Sequence, residues 1–161
     1  MKQRISTLVI AVILLSSLLL AGCTKQTFRN DVPLLELQPI IEPLVTHADH
    51  LDTLDDDYRR FNFPGTEDAS EVLIRQSVSG TSLDEYGLFR ASELLGADEI
   101  ADICSAYLKQ RNDAWLGLYM LEEYPKLRDA EVKIFGEYVL YMILSEEDKA
   151  EVISAVEAAL K

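Results

Sequence analysis

The sequence predicts an α+β domain built on a four-stranded antiparallel sheet of two hairpins, with helices mainly on one face, in the order α-ββ-α-ββ-α. Three observations carry this expectation. Apolar residues alternate with period two in two pairs of short segments, each pair joined by turn residues, and helical periodicity flanks and separates the pairs. No strand-helix-strand alternation demands a parallel sheet.

The chain starts with Lys2 and Arg4, runs through an apolar stretch from Leu8 to Ala21, and reaches Leu20-Ala21-Gly22-Cys23. A basic start, a short apolar run and small residues before a cysteine form a bacterial lipoprotein signal. Residues 1 to 22 are thus expected to be a signal peptide, with Cys23 the acylated first residue of the mature chain. That signal pattern implies a diacylglycerol and an N-acyl group on Cys23, and no other cofactor is expected. The competing reading is a membrane-spanning anchor. As a helix the 14 residues from Leu8 to Ala21 cover roughly 21 Å, less than the ~30 Å hydrocarbon core. Several acyl chains, at about 0.8 kcal/mol per buried methylene, supply the anchorage instead.

Losing Lys2 and Arg4 takes the net charge from −13 to −15, with 28 acidic residues retained. No basic patch is available to displace phosphate counterions, which excludes nucleic acid as a partner. Anionic headgroups repel such a domain, so contact with the membrane falls to the lipid anchor. Cys104 remains as one cysteine in an exported chain, where a disulfide framework needs an even number. Its neighbours Ile103 and Tyr107 place it on an apolar helix face as a small buried hydrophobe.

Residues 23 to 33 form a short tether, and residues 34 to 161 a single domain. Leu37, Ile40, Ile41, Leu44 and Val45 follow a helical rhythm that Pro39 and Pro43 interrupt, predicting a broken helix. Asp55 to Arg60 adds a short helical turn before Phe63-Pro64-Gly65 stops it. Val72, Ile74 and Val78 alternate with polar residues, Ser79-Gly80-Thr81-Ser82 turns, and Tyr86, Leu88, Phe89 and Arg90 return as a second strand. Gly87 within it marks a bulge or a close backbone approach.

From Asp98, apolar positions at Ile100, Ile103, Cys104, Tyr107, Leu108 and Trp115 predict an amphipathic helix ending near Gly117. Val132 to Phe135, Gly136-Glu137 and Tyr138 to Ile143 fit a hairpin with a two-residue type II′ turn. Its register sets Phe135 against Tyr138, Ile134 against Val139 and Val132 against Tyr141. One face then holds Val132, Ile134, Val139, Tyr141 and Ile143, and the other Phe135, Tyr138, Leu140 and Met142 beside charged residues. The last strand is expected to be central. Ser145-Glu146-Glu147-Asp148 caps a final helix with Ala150, Ile153, Val156 and Leu160 inward.

Three groups of residues are candidates for chemistry or contact. His47, Asp49 and His50 form a possible metal site, since imidazole and carboxylate suit zinc, against the plainer reading of a solvated acidic face. The aspartates from Asp52 to Asp57 lack the alternating ligands and central glycine of a calcium loop. Trp115, Tyr119 and Tyr124 cluster around an acidic loop and offer peptide or sugar contacts that are apolar with a polar tip, against the plainer reading that they cap a small core. Leu140 and Met142 either lie beneath an N-terminal helix or form an exposed apolar contact patch. With two histidines and no Gly-x-Ser-x-Gly elbow or glycine-rich phosphate loop, no catalytic constellation is legible.

Ser82-Leu83-Asp84-Glu85-Tyr86-Gly87-Leu88-Phe89-Arg90-Ala91, the middle helix to Trp115, Glu123-Tyr124-Pro125-Lys126-Leu127, and Ala130 to Lys133 through Gly136 to Leu140 carry a family resemblance. Over residues 34 to 160 the chain resembles small uncharacterised lipoproteins of clostridial-type bacteria, grouped only as a domain of unknown function. The resemblance implies a Gram-positive host and the outer face of the plasma membrane, and transfers no active-site residue. The expected function is a membrane-tethered extracytoplasmic binding or interaction module whose partner is an exported protein or cell-wall ligand. A metal-binding protein or metal-dependent enzyme using His47, His50 and nearby aspartates is the alternative.

Overall fold

The computed structural model describes residues 27–161. The expected signal peptide, residues 1 to 22, and Cys23 lie outside the described residues. The broken N-terminal helix is α1 (Leu34–Ile41) with Pro39 inside it, followed by two 3₁₀ turns (Glu42–Leu44 and Ala48–His50). Pro43 sits in the first turn of the first 3₁₀ segment, where the backbone donor it lacks would be unpaired anyway. Strand β1 (Leu51–Thr53) precedes α2 (Asp56–Asn62). Asp55 caps α2 by accepting from the Tyr58 amide at 2.9 Å, and Asp56 and Asp57 pair with Arg59 and Arg60 one turn on. The aspartate run is therefore a helix start, with negative charge at the positive end of the dipole.

Next come β2 (Glu71–Ser77), β3 (Glu85–Arg90), α3 (Ala97–Asp113), α4 (Tyr124–Arg128), β4 (Glu131–Phe135), β5 (Tyr138–Ile143) and α5 (Glu146–Ala159). The α+β class with an antiparallel sheet is as expected, but the sheet has five strands, in the order β1-β2-β3-β5-β4. The extra strand, β1, pairs Leu51 with Ser77 and Thr53 with Arg75. At three residues it is too short to display period-two alternation.

The second hairpin has the expected register, Phe135 to Tyr138, Ile134 to Val139 and Val132 to Tyr141. Gly136 at φ 65°, with no positive φ at Glu137, gives the type II′ turn. Strand β5 lies between β3 and β4, and all six of its residues are buried. Burial on both faces corrects the expectation of helices mainly on one face. Leu88, Tyr138, Leu140 and Met142 face a core closed by Leu34, Leu37 and Ile41 of α1 and Val152 and Val156 of α5. Phe89, Val139, Tyr141 and Ile143 face the opposite core, closed by Ile100, Cys104, Tyr107 and Leu108 of α3 with Phe63 and Leu127.

Two further expectations shift in detail. Helix α3 stops at Asp113, which places Trp115 in the loop beyond it. In α5 the inward stripe runs through Val152, Val156 and Leu160, and Ala150 is exposed. Ser145 caps that helix as expected, accepting from the Asp148 amide at 3.1 Å. The buried Asp148 carboxylate in turn receives the Thr46 amide at 3.2 Å and its hydroxyl at 2.9 Å, fastening the 3₁₀ region to α5.

The chain enters the fold at one end of the sheet. Phe28 packs edge-on against Phe135, with ring centroids 5.7 Å apart, and the Arg29 amide donates to the Leu160 carbonyl at 2.7 Å. Both contacts lie beside the Gly136-Glu137 turn. The opposite end, where β3 begins at Glu85 against Ile143, carries the loops between β2 and β3 and between α3 and α4. Among the described residues no helix is long and apolar enough to cross a membrane.

Candidate functional site

The segment from Trp115 to Glu123 links α3 to α4 at the end of the sheet far from Phe28. Gly117 disfavours continuation of α3, and Pro125 opens α4 in its first turn. Turn hydrogen bonds shape the path between them, from the Tyr119 amide to the Leu116 carbonyl at 2.8 Å and from the Glu123 and Tyr124 amides to the Met120 carbonyl at 3.0 Å. Met120 reverses the chain at φ 46°, a left-handed conformation uncommon for a residue with a side chain. The Trp115 ring stacks on Tyr124, centroids 5.8 Å apart and planes 16° apart, and meets Tyr119 at 5.6 Å. The three aromatics expected as a contact cluster are therefore brought together.

That aromatic base presents apolar side chains to solvent. Leu116 is 74 % exposed, Leu118 90 %, Tyr119 54 % and Leu121 60 %. Four such residues fall within six positions of one loop, a density of exposed apolar side chains of the kind that marks a contact surface. The Trp115 indole nitrogen, and the Asn112 side-chain oxygen in the last turn of α3, are buried without a hydrogen-bond partner among the described residues. The unpaired Trp115 nitrogen and the left-handed Met120 both fall in this loop, and strained or unsatisfied groups of this kind recur at functional segments.

Glu123 fastens the loop to the start of β3. One of its oxygens accepts from the Leu83 amide and from the Lys126 ammonium, both at 2.9 Å. Lys126 also donates to Asp84 at 2.7 Å. Asp84 is fully buried and further receives the Ser82 hydroxyl at 2.8 Å, with the His47 ring nitrogen 3.3 Å away. Burial works to lower the Lys126 pKa, but the hydrogen bonds to Asp84 and Glu123 and their charges outweigh it and raise it overall.

The next residue, Glu85, points into the opposite core and is also fully buried. Tyr107 and Tyr141 donate to one carboxylate oxygen at 2.6 and 2.7 Å, while Gln76, at 2.6 Å, and Arg111 donate to the other. Because the Tyr107 proton is committed to Glu85, the Tyr58 hydroxyl 2.8 Å away donates to Tyr107. Burial, then the Glu85 charge, pushes the Tyr107 and Tyr141 hydroxyls far above their ordinary range. Every polar atom of the carboxylate has partners, so this network locks α2, α3, β2, β3 and β5 into one register.

Two hollows adjoin the loop. One, of about 350 Å³, is lined by Gly80 and Thr81 of the β2–β3 connection and by Met120 to Glu123. The other, of about 220 Å³, is lined by Pro125, Lys126, Asp129, Leu144, Ser145 and Glu146. Glu122 lines both, is exposed, and has no hydrogen-bond or ion-pair partner among the described residues.

The other sequence candidates have different fates. Leu140 and Met142 are wholly buried under α1 and α5, which removes the expected exposed patch at those positions. His47 and His50 stack with centroids 6.1 Å apart, yet His47 addresses Asp84 whereas His50 pairs with Asp49 at 3.3 Å. Because they face different carboxylates, His47, Asp49 and His50 do not converge on one point. Among the described residues no group of three or more His, Cys, Asp or Glu side chains is placed to hold a metal ion. Cys104 is buried in the α3 core, where burial raises its thiol pKa strongly.

Sequence reasoning missed Leu116, Leu118 and Leu121, although the signal was present: apolar residues continue past Gly117, where helical spacing no longer accounts for them. It also missed Asp84 and Glu85, whose flanking Leu83 and Tyr86 marked an acidic pair entering a strand. Comparison with protein-family models, curated proteins and solved structures yields no match.

Proposed function

We propose that the protein is a lipid-tethered, extracytoplasmic interaction module that engages an exported partner through the Trp115 to Tyr124 loop. The single observation that carries this reading is the exposed set Leu116, Leu118, Tyr119 and Leu121, held on the stacked Trp115–Tyr124 pair. Tryptophan and tyrosine are the aromatic anchors that dominate many protein-protein contacts, and the exposed leucines beside them add apolar area to the same loop. Localisation rests on the expected leader and Cys23, which support an extracytoplasmic lipid anchor, and on the family resemblance, which implies the outer face of the plasma membrane.

Posture supports the same reading. Strand β3 separates the two ends of the sheet by five residue steps, some 17 Å at about 3.4 Å each, and Phe28 lies at the end opposite the loop. From Cys23 to Phe28 the chain can reach at most about 18 Å. With the sheet upright on that tether, the loop stands at the end away from the bilayer. In that posture it faces exported proteins and the wall.

Site-specific photo-crosslinking in intact cells tests this, with the probe at Leu118 and a control probe at Leu94, which is 79 % exposed on the β3–α3 connection. The expected result is a discrete adduct from Leu118 that disappears when Leu116 and Leu121 are replaced by serine. Identical adducts from both positions overturn the proposal.

A further inference from the structure

The loop does not offer its leucines in a neutral setting, and the charge around them selects among possible occupants. Glu122 stands between the two hollows without a partner, Asp113 and Glu123 flank the loop, and Asp129 and Glu146 line the smaller hollow. The one cation lining either hollow, Lys126, is already committed to Asp84 and Glu123. A second copy of this chain would bring the same acids against each other on a body of net charge −13 before any processing, which like-charge repulsion opposes. Phe28, the described residue nearest the expected anchor, lies at the other end of the domain. The described chain begins beside Gly136, also away from the loop.

Resting on the proposed loop interface, we propose that its occupant is a cationic, leucine-rich or aromatic segment of an exported polypeptide. It lies in the groove between the Gly80-Thr81 turn and residues 120 to 123. An apolar side chain enters the 350 Å³ hollow over Met120 and Leu121, and a lysine or arginine meets Glu122. Apolar contact supplies affinity; the acidic rim steers approach and rejects acidic competitors. Pairing at Glu122 leaves no buried charge uncompensated, because that carboxylate is solvent-exposed before binding.

Trp115 is the only tryptophan in the chain, so its emission reports on the loop without labelling. The full chain in zwitterionic lipid nanodiscs is titrated with a tryptophan-free peptide of about ten residues built from leucine and lysine, and with its counterpart carrying glutamate for lysine. The expected result is a saturable change in Trp115 emission with the cationic peptide, weakening as salt rises. Glu122→Lys is expected to reduce its affinity about fivefold to tenfold and to admit the acidic peptide. Leu121→Ser is expected to weaken binding of the cationic peptide, with the circular dichroism of both variants unchanged.

Equal affinity for the two peptides, or indifference to Glu122→Lys, overturns the cationic assignment while leaving the loop interface standing. No response to either peptide, together with crosslinks that ignore loop substitutions, overturns both. Quenching of Trp115 by brominated lipid in the same nanodisc assigns the loop to the bilayer, and concentration-dependent self-association lost in Leu118→Ser assigns it to a second copy. Either of those results overturns the inference.

Discussion

Tyr141 occupies the space that a side chain at Gly87 would need: a Cβ placed on Gly87 falls 2.1 Å from Cε1 of the Tyr141 ring. The two residues are direct cross-strand partners on β3 and β5, and the same tyrosine reaches on to donate to Glu85. The ladder passes through Gly87 without a bulge, so the glycine serves close approach of a ring.

Gly87→Ala should therefore be costly in a way that exposed strand positions are not. Accommodating the methyl means displacing Tyr141 and its bond to the buried carboxylate, a loss of roughly 2–4 kcal/mol from overpacking and a broken network. Urea denaturation should show a lower midpoint with an unchanged slope. A midpoint equal to wild type would show that the ring moves freely.

Glu85→Ala removes the acceptor shared by Tyr107, Tyr141, Gln76 and Arg111. Leaving Arg111 and two phenols without it should destabilise the fold by about 3 kcal/mol, near the lower end of the cost of breaking a buried pair because Arg111 is partly exposed. Glu85→Gln keeps the volume and one acceptor and should lose less. The difference between the two variants in thermal midpoint is the measurement, and equal losses would contradict the network.

Alkaline titration should separate the tyrosines. Burial first, and then nearby acidic charge, raises the pKa of Tyr58, Tyr86, Tyr107 and Tyr141 above the ordinary value of 10.0. The folded state thus keeps protons that the unfolded chain releases. Their contribution to stability is fully present below pH 10 and is lost as pH rises beyond it. Lys126, also raised from its ordinary 10.5, acts in the same direction and over a neighbouring range. Tyrosinate absorbance should consequently rise in two stages, the second coinciding with loss of the circular dichroism signal. A single stage completed in the folded protein would contradict this.

Leu118→Glu and Leu140→Ala should have opposite consequences. Leu118 is 90 % exposed, and its replacement should change stability by less than about 0.5 kcal/mol while weakening the Trp115 emission response to the cationic peptide. Leu140 is fully buried between β3, α1 and α5, so its truncation should cost about 2–5 kcal/mol. Calorimetry of both variants checks the pair.

Burial should also decide the behaviour of Cys104. Its thiol lies in the core beneath α3 with a strongly raised pKa, and the thiolate is the reactive form. A thiol reagent added near neutral pH should label it only as fast as the protein unfolds, and labelling should accelerate in Gly87→Ala. Rapid labelling of the native protein would be inconsistent with this placement.

The second hairpin was legible residue by residue, because Gly136 sets a two-residue turn and a two-residue turn leaves one register for Phe135 and Tyr138. Helix starts were equally legible at Ser145 and in the Asp55 run, where local side-chain oxygens satisfy amides within three residues. β1 was not, since its three residues acquire strand geometry only from the edge that β2 offers. Nor was the second helical layer: Leu140 and Met142 carry no mark of whether α1 covers them. The contact loop fell between these cases, with Trp115, Tyr119 and Tyr124 recognised and Leu116, Leu118 and Leu121 passed over.

By itself, then, the sequence determined the acidic balance, the α+β class and the pairing of neighbouring strands, and it carried the expectation of a leader and an acylation signal. Each of these depends on composition or on interactions spanning a few residues. Only the tertiary structure decided that both sheet faces are covered, that Asp84 and Glu85 are buried and paired in opposite directions, and that the Trp115 loop stands at the end remote from Phe28. These outcomes depend on contacts between residues far apart in the chain, Glu85 with Tyr141 and Phe28 with Phe135 among them, which local periodicity does not encode.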